Sequence, residues 1–261
     1  MAEFQNPFKK LTPNNDTHFK KIIAVISGKG GVGKSLVTSL LAAQLAKKGN
    51  KVAIIDADVT GPSIPQSFGL QNVMADSNGT VIFPVETKLG IKVMSTNLLL
   101  EDDEAPVVWR GPLVASFVQQ LFTDVQYGDI DYLVVDMPPG TGDIPLTVFQ
   151  VMPVDEIVVV SSPQELVSMV VAKSINMAKM MHIEIAGLVE NMAFIECPDC
   201  GKKITVFGNG DYSKEVEKSG LEVIAEIPID PRLAAMVDAG RIEDYETDVL
   251  DKLIEKVSIK S

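Results

Sequence analysis

The sequence predicts an α/β fold, a single doubly wound and mostly parallel sheet flanked by helices, and three observations carry that expectation. Apolar, β-branched runs recur at 22–26, 51–55, 132–136, 157–160, 185–190 and 222–227, the form of strands buried on both faces. Stretches with apolar residues at helical spacing stand between them. Strand and helix alternate from one end of the chain to the other, which builds one sheet and not two separate domains.

Residues 1–20, with Pro7, Pro13 and the Asn14-Asn15-Asp16 cluster, read as an N-terminal arm, and 21–261 as the domain. The first strand runs into Gly28-Lys29-Gly30-Gly31-Val32-Gly33-Lys34-Ser35. Glycines let the backbone turn with its N–H groups inward. The next helix, carrying Leu36, Leu40, Leu41, Ala43 and Leu45 and stopping at Gly49, offers an anion the positive end of its dipole. This is a phosphate-binding loop, in which G-x-x-x-x-G-K-S sets Lys34 against the β- and γ-phosphates and the Ser35 hydroxyl on Mg²⁺. Gly28, Gly30 and Gly33 also spell a dinucleotide fingerprint, with Asp56 about 20 residues further on. Lys34-Ser35 decides between them, because a dinucleotide turn needs neither a lysine nor a hydroxyl there.

The second strand delivers Asp56 and Asp58 at its carboxyl end, where open parallel sheets bind ligands. Gly61, Pro62 and Pro65 make 59–65 a shaped loop. Extended pieces at 79–85 and 91–94 suggest a hairpin-like excursion and a further sheet strand. Trp109, read as a packing residue, precedes a helix with Leu113, Phe117, Val118 and Leu121 on one face. The run at 132–136 brings Asp136 to the same sheet edge, followed by an irregular 137–143. Helical stretches are expected at 164–181 and 211–219, with Met169, Met177, Met180 and Met181 as core filler. The stripe Leu250, Leu253, Ile254 and Val257 faces away from a mixed-charge surface, so it is expected to dock on its own domain and not on a membrane.

Phosphoryl transfer is mostly positioning and charge stabilisation. Asp136 suits the metal, through water, opposite Ser35; Asp58 suits orientation of the attacking water; Asp56 suits fixing the loop or the metal shell. Lys29 is a second lysine at the loop's start, placed to reach phosphates held by another copy of the chain, which implies a dimer. Both cysteines of the chain lie in Cys197-Pro198-Asp199-Cys200-Gly201. A thiolate metal site wants four ligands, and His18 and His182 are remote in sequence, so the simplest closure is two chains. A redox dithiol competes with this reading, and thiolates alone suit zinc as well as iron–sulfur.

The formal net charge of −12 gives no bulk attraction for nucleic acid or anionic lipid. No apolar run is long enough to span a bilayer. The polar N-terminus has no secretory leader, and a cytoplasmic chain with reduced thiols is expected.

The loop resembles the deviant Walker A loop of the MinD/ParA/nitrogenase-iron-protein superfamily of P-loop NTPases. More narrowly, the chain resembles the Mrp (ApbC-type) family of iron–sulfur carrier ATPases. The matching stretches, spread over about 21–240, are Asp56-Ala57-Asp58 with Gly61-Pro62-Ser63-Ile64-Pro65, Trp109-Arg110-Gly111-Pro112, Asp136-Met137-Pro138-Pro139-Gly140-Thr141-Gly142-Asp143, Asn191-Met192, the cysteine pair and Ile227-Pro228-Ile229-Asp230. The resemblance implies a slow ATP hydrolase that carries a labile 4Fe–4S cluster at a homodimer interface and hands it to apo iron–sulfur proteins. It implies catalytic roles for Lys29, Lys34 and Asp58, the first in trans, with Asp58 and Asp136 as the two switch acids. ATP would meet Gly28, Lys29, Gly30, Gly31, Val32, Gly33, Lys34, Ser35 and Leu36, with Asn191 at the adenine edge and Pro228 and Asp230 near base and ribose. Ser35 and Asp136 would serve Mg²⁺, and Cys197 and Cys200 the cluster, with Zn²⁺ able to replace it. Leu36 stands where relatives usually carry a threonine that touches the α-phosphate, and Arg241 follows Gly240 where relatives often differ. Two other readings are a MinD/ParA-type positioning ATPase, binding membrane or DNA, and a nucleotide-gated electron-transfer protein.

Overall fold

In the computed structural model, which describes residues 10–59, 61–99, 111–140, 142–163, 169–207 and 221–259, all six apolar runs lie in one sheet. They form β1 (Thr17–Ser27), β2 (Val52–Asp56), β7 (Gly128–Asp136), β8 (Glu156–Ser161), β9 (Glu184–Asn191) and β12 (Val223–Ile227). β6 (Lys92–Met94) joins in parallel beside β2, and β5 (Val85–Glu86) runs antiparallel at the edge. The order is β12-β9-β8-β1-β7-β2-β6-β5. β3 (Asp76–Ser77) and β4 (Ile82–Phe83) form a separate antiparallel ribbon within the expected excursion, and β10 (Ile195–Glu196) and β11 (Lys203–Ile204) form another.

Successive strand residues point to opposite faces, and here both faces are apolar. Ile23, Val25, Ile54, Val134 and Val158 pack with α1 (Lys34–Lys47) and α7 (Asp251–Val257). Ala24, Ile26, Ile55, Leu133 and Val135 pack with α3 (Gly111–Thr123), α4 (Asp143–Val151) and α5 (Met169–Met180). Helices therefore cover both sides of the sheet, the doubly wound arrangement. The stripe of α7 is spent at home, with Leu250, Leu253, Ile254 and Val257 all buried.

Local departures from the sequence reading have packing causes. β1 starts at Thr17, inside the expected arm, because Thr17 pairs with Gly128 and the Phe19 ring packs on Phe122 and Tyr127. Before it, Lys10 Nζ donates to the carbonyls of Phe149 and Met152, both at 2.8 Å, and ties this segment to the end of α4. The buried face of α3 is Val114, Val118, Leu121 and Phe122, while Leu113 points to solvent. In α5, Met177 is buried and Met180 is exposed. Trp109, Arg110, the helix expected at 211–219, residues 164–168 and the Met169 side chain lie outside the described residues. Among the described residues, no helix is long and apolar enough to cross a membrane.

Candidate nucleotide and metal-binding site

The carboxyl ends of β1, β2 and β7 meet at one point, since Val25 and Asp56 are both register partners of Asp136. The glycine loop leaves β1 there. Gly31 (φ 83°) and Gly33 (φ 84°) adopt left-handed backbone, which explains glycine at both positions. The first turn of α1 has no side-chain cap and no acidic residue, so its N–H groups remain for an anion. Loop and helix start line a cavity of about 400 Å³ with Lys29, Leu36, Asp58, Gly61, Ser63, Gln66, Val237 and Asp238, a size suited to a small-molecule ligand.

Asp136 anchors the floor of this site and is 0 % exposed. Lys34 Nζ donates to its Oδ2 at 2.8 Å, Ser35 Oγ to the same oxygen at 2.6 Å, and Thr38 Oγ1 to Oδ1 at 2.7 Å. Lys34 also lies 3.6 Å from Asp58 Oδ2. Sequence reasoning missed Thr38. The available signal was a hydroxyl one helical turn past Lys34, on the same face.

Asp56 is also fully buried. Its Oδ1 accepts from the Asp58 N–H at 3.2 Å, and its Oδ2 from the Ile64 N–H and Ser95 Oγ, both at 3.3 Å. It thus holds both ends of the loop that carries Asp58 and leads into α2 (Ile64–Ser67), one of the two roles weighed for it. Burial, then the neighbouring Asp136 charge, pushes its carboxyl well above the usual range, against the pull of Lys34.

The residues expected on the base side come from the end of β9 and from the segment that follows β12. Asn191 ends β9 and is 2 % exposed, and its Nδ2 donates to the Val32 carbonyl at 2.9 Å. Pro228 and Asp230 line a second cavity, of about 550 Å³, together with Glu196, Cys197, Pro198 and Arg232. Asp230 caps α6 (Pro231–Asp238) by accepting from the Arg232 N–H, and takes a two-pronged contact from the Arg232 guanidinium and a bond from the Tyr245 hydroxyl.

The Arg232 contacts hold the Asp230 carboxyl down from 3.8 to about 2. A value lower in the folded than in the unfolded chain means a contribution that is complete above pH 3.8 and fades as pH falls towards 2. Asp230→Ala is expected to cost about 1 kcal/mol at pH 7. Urea titrations at a series of pH values should find that cost shrinking steadily on acidification.

Cys197 and Cys200 sit at the tip of the β10–β11 hairpin. The Cys197 N–H donates to the Lys202 carbonyl at 3.0 Å, and the Gly201 N–H, with Gly201 at φ 68°, to the Cys197 carbonyl at 2.9 Å. Neither thiol is in a disulfide; Cys197 is half-buried and Cys200 exposed. N–H groups of Asp199 and Cys200, then the Cys200 thiol, lower the Cys197 pKa and favour the thiolate that binds metals.

The family model described as "ParA: NUBPL iron-transfer P-loop NTPase" matches residues 18–259. The chain belongs to this family. An iron–sulfur cluster carrier protein of Clostridium perfringens is 50% identical over 238 residues, covering 88% of this chain and 84% of its own. A protein of the same description from Methanocaldococcus jannaschii is 42% identical over 255 residues, covering 94% and 88%. Among solved structures, a nucleotide-binding protein from Archaeoglobus fulgidus in complex with ADP superposes with a TM-score of 0.80 at 46% identity, covering 89% of this chain and 91% of its own. The cell-division ATPase MinD of Pyrococcus furiosus, 20% identical, shares the fold with a TM-score of 0.66, covering 91% and 98%.

The chain is thus a P-loop NTPase of the iron-transfer family, and its residues can be tested against what such a protein handles. Ser35 and Asp136 bring a hydroxyl and a carboxylate together at 2.6 Å, hard oxygen donors that fit Mg²⁺. The cysteine pair offers soft donors that fit iron–sulfur or zinc. Among the described residues, no group of three or more His, Cys, Asp or Glu side chains could hold a metal ion. Two thiolates are half of a four-ligand shell.

Proposed function

We propose that this chain is a cytoplasmic ATP hydrolase that works as a homodimer, holds a labile 4Fe–4S cluster between two Cys197/Cys200 pairs and delivers it to apo iron–sulfur proteins. The observation that carries the reading is the thiol pair at the tip of a short hairpin, Cys197 half-buried and Cys200 exposed, with half the ligands a cluster needs. Ile195, Ile204 and Val206 on and beside that hairpin are exposed apolar side chains, which favours a face covered by a second copy. Zinc can occupy the same thiolates.

Residues 21–261 act in this reading as one ATPase unit with 1–20 as an arm. Lys34 and the loop N–H groups hold the β- and γ-phosphates, Ser35 and Asp136 hold Mg²⁺, which neutralises charge on the phosphates, and Asp58 orients the attacking water. Water's oxygen bonds to the γ-phosphorus as the bridging P–O bond breaks, its electron pair leaving on ADP and the water's proton passing to the released phosphate. Lys29, which lines the cavity, reaches the partner's phosphates as a finger does in trans. Asn191 lies against the loop from the base side, with Pro228 and Asp230 beyond it. Hydrolysis is slow and tied to cargo release. The net charge of −12 and the buried stripe of α7 disfavour a positioning ATPase that docks on DNA or membrane.

Anaerobically loaded protein should restore a four-cysteine apo-protein, read from the recipient's absorption spectrum; a cluster that cycles electrons without leaving contradicts the carrier reading. Asp58→Asn should still bind ATP and load cargo while hydrolysing about 10²- to 10⁴-fold more slowly. An unchanged rate would remove Asp58 from the chemistry.

A further inference from the structure

We propose that Asn191 is the positioning residue that transmits the state of the phosphate loop to the cysteine hairpin, an inference that rests on reading loop and hairpin as nucleotide and cargo sites. The Asn191 amide is buried and donates to the carbonyl of Val32, inside the loop. Its approach depends on Gly33, where any β-carbon would overlap the amide nitrogen. Asn191 is thereby locked to the loop on one side.

On its other side the chain leads directly to the thiols. Met192 takes a left-handed conformation (φ 57°) that residues with side chains seldom adopt. The Ala193 N–H donates to the Ile227 carbonyl at 3.0 Å and the Ile229 N–H to the Phe194 carbonyl at 2.8 Å. β10 follows at once, then Cys197. Residues 191–197 are therefore held at both ends, with one strained position, Met192, next to the loop contact. A strained residue of this kind marks the place where such a segment can pass between two arrangements.

The loop has reason to move. Lys34, Ser35 and Thr38 all donate to Asp136, and a triphosphate with its metal recruits Lys34 and Ser35 from that cluster. A displaced Val32 carbonyl takes the Asn191 amide with it, and a base edge reaching Asn191 draws on the same amide. The shift passes through Met192 to the hairpin and alters the setting of Cys197 and Cys200.

The test is the alkylation rate of the two cysteines by iodoacetamide in reduced, metal-free protein, followed by mass spectrometry, with and without saturating Mg·ATP. Nucleotide should change the wild-type rate by about two- to thirtyfold. Asn191→Ala, kept saturated as judged by a fluorescent ATP analogue, should bring the ratio to about one. Met192→Gly, which relaxes the strained turn without touching the cavity, should leave ATP affinity unchanged and also flatten the ratio. Either variant retaining the wild-type ratio overturns the inference, as does a wild-type ratio of one with nucleotide bound. That last result leaves cluster carriage standing, whereas a wild-type chain that binds no nucleotide removes the underlying reading as well.

Discussion

Lys34→Ala is expected to weaken ATP binding by about 10- to 150-fold and to destabilise the nucleotide-free protein as well. The first effect is the loss of a charge-assisted bond to phosphate, worth about 1.5–3 kcal/mol. The second comes from Asp136, which is fully buried and loses its cationic partner at 2.8 Å. Breaking a buried ion pair from one side costs about 3–5 kcal/mol because an uncompensated charge stays behind. Ser35 and Thr38 still donate to Asp136, which puts the cost near the lower end, a fall in Tm of about 6–12 °C. Adding Asp136→Asn to Lys34→Ala removes the stranded charge and should restore much of the stability, but none of the affinity. Thermal melts and ATP titrations of the three variants separate the two roles of this lysine.

Replacing either cysteine should have the largest effect on cargo. In a dimer sharing four thiolates, Cys197→Ala or Cys200→Ala deletes two ligands at once, one from each chain. Iron and sulfide retained after anaerobic reconstitution and desalting should fall by at least about tenfold. ATP affinity should stay within about twofold of wild type, since neither thiol lines the phosphate-loop cavity. Normal occupancy in both variants would place the cargo elsewhere.

Much of this arrangement was legible in the amino-acid order, for reasons that differ by element. The apolar runs announced the sheet because parallel strands buried on both faces must be apolar throughout, as Ile22 to Ile26 and Leu133 to Val135 are. The loop was legible because phosphate, metal and helix start fix residue types at fixed offsets. Contacts between distant elements were not. Thr38 looked like one more residue of an apolar helix, and only the return of β7 places it 2.7 Å from Asp136. Asn191 could be picked out as a candidate base contact, but its bond to Val32 could not, because that depends on β9 lying two strands from β1. Pro228 and Asp230 came to line a cavity with Cys197 because the backbone after β9 bonds to the end of β12, a pairing no local pattern encodes. The face of α3 was misjudged at Leu113 since helical spacing gives the period of a stripe but not which of two adjacent stripes meets the sheet.

Native mass spectrometry of the anaerobically reconstituted wild-type protein puts the shared thiolate site to the most direct test. Two 28.2 kDa chains carrying one four-iron cluster, falling apart to single chains when iron is chelated, is the predicted spectrum. A single chain that keeps a full cluster, or a two-chain species whose thiols hold no metal under any loading condition, would contradict it.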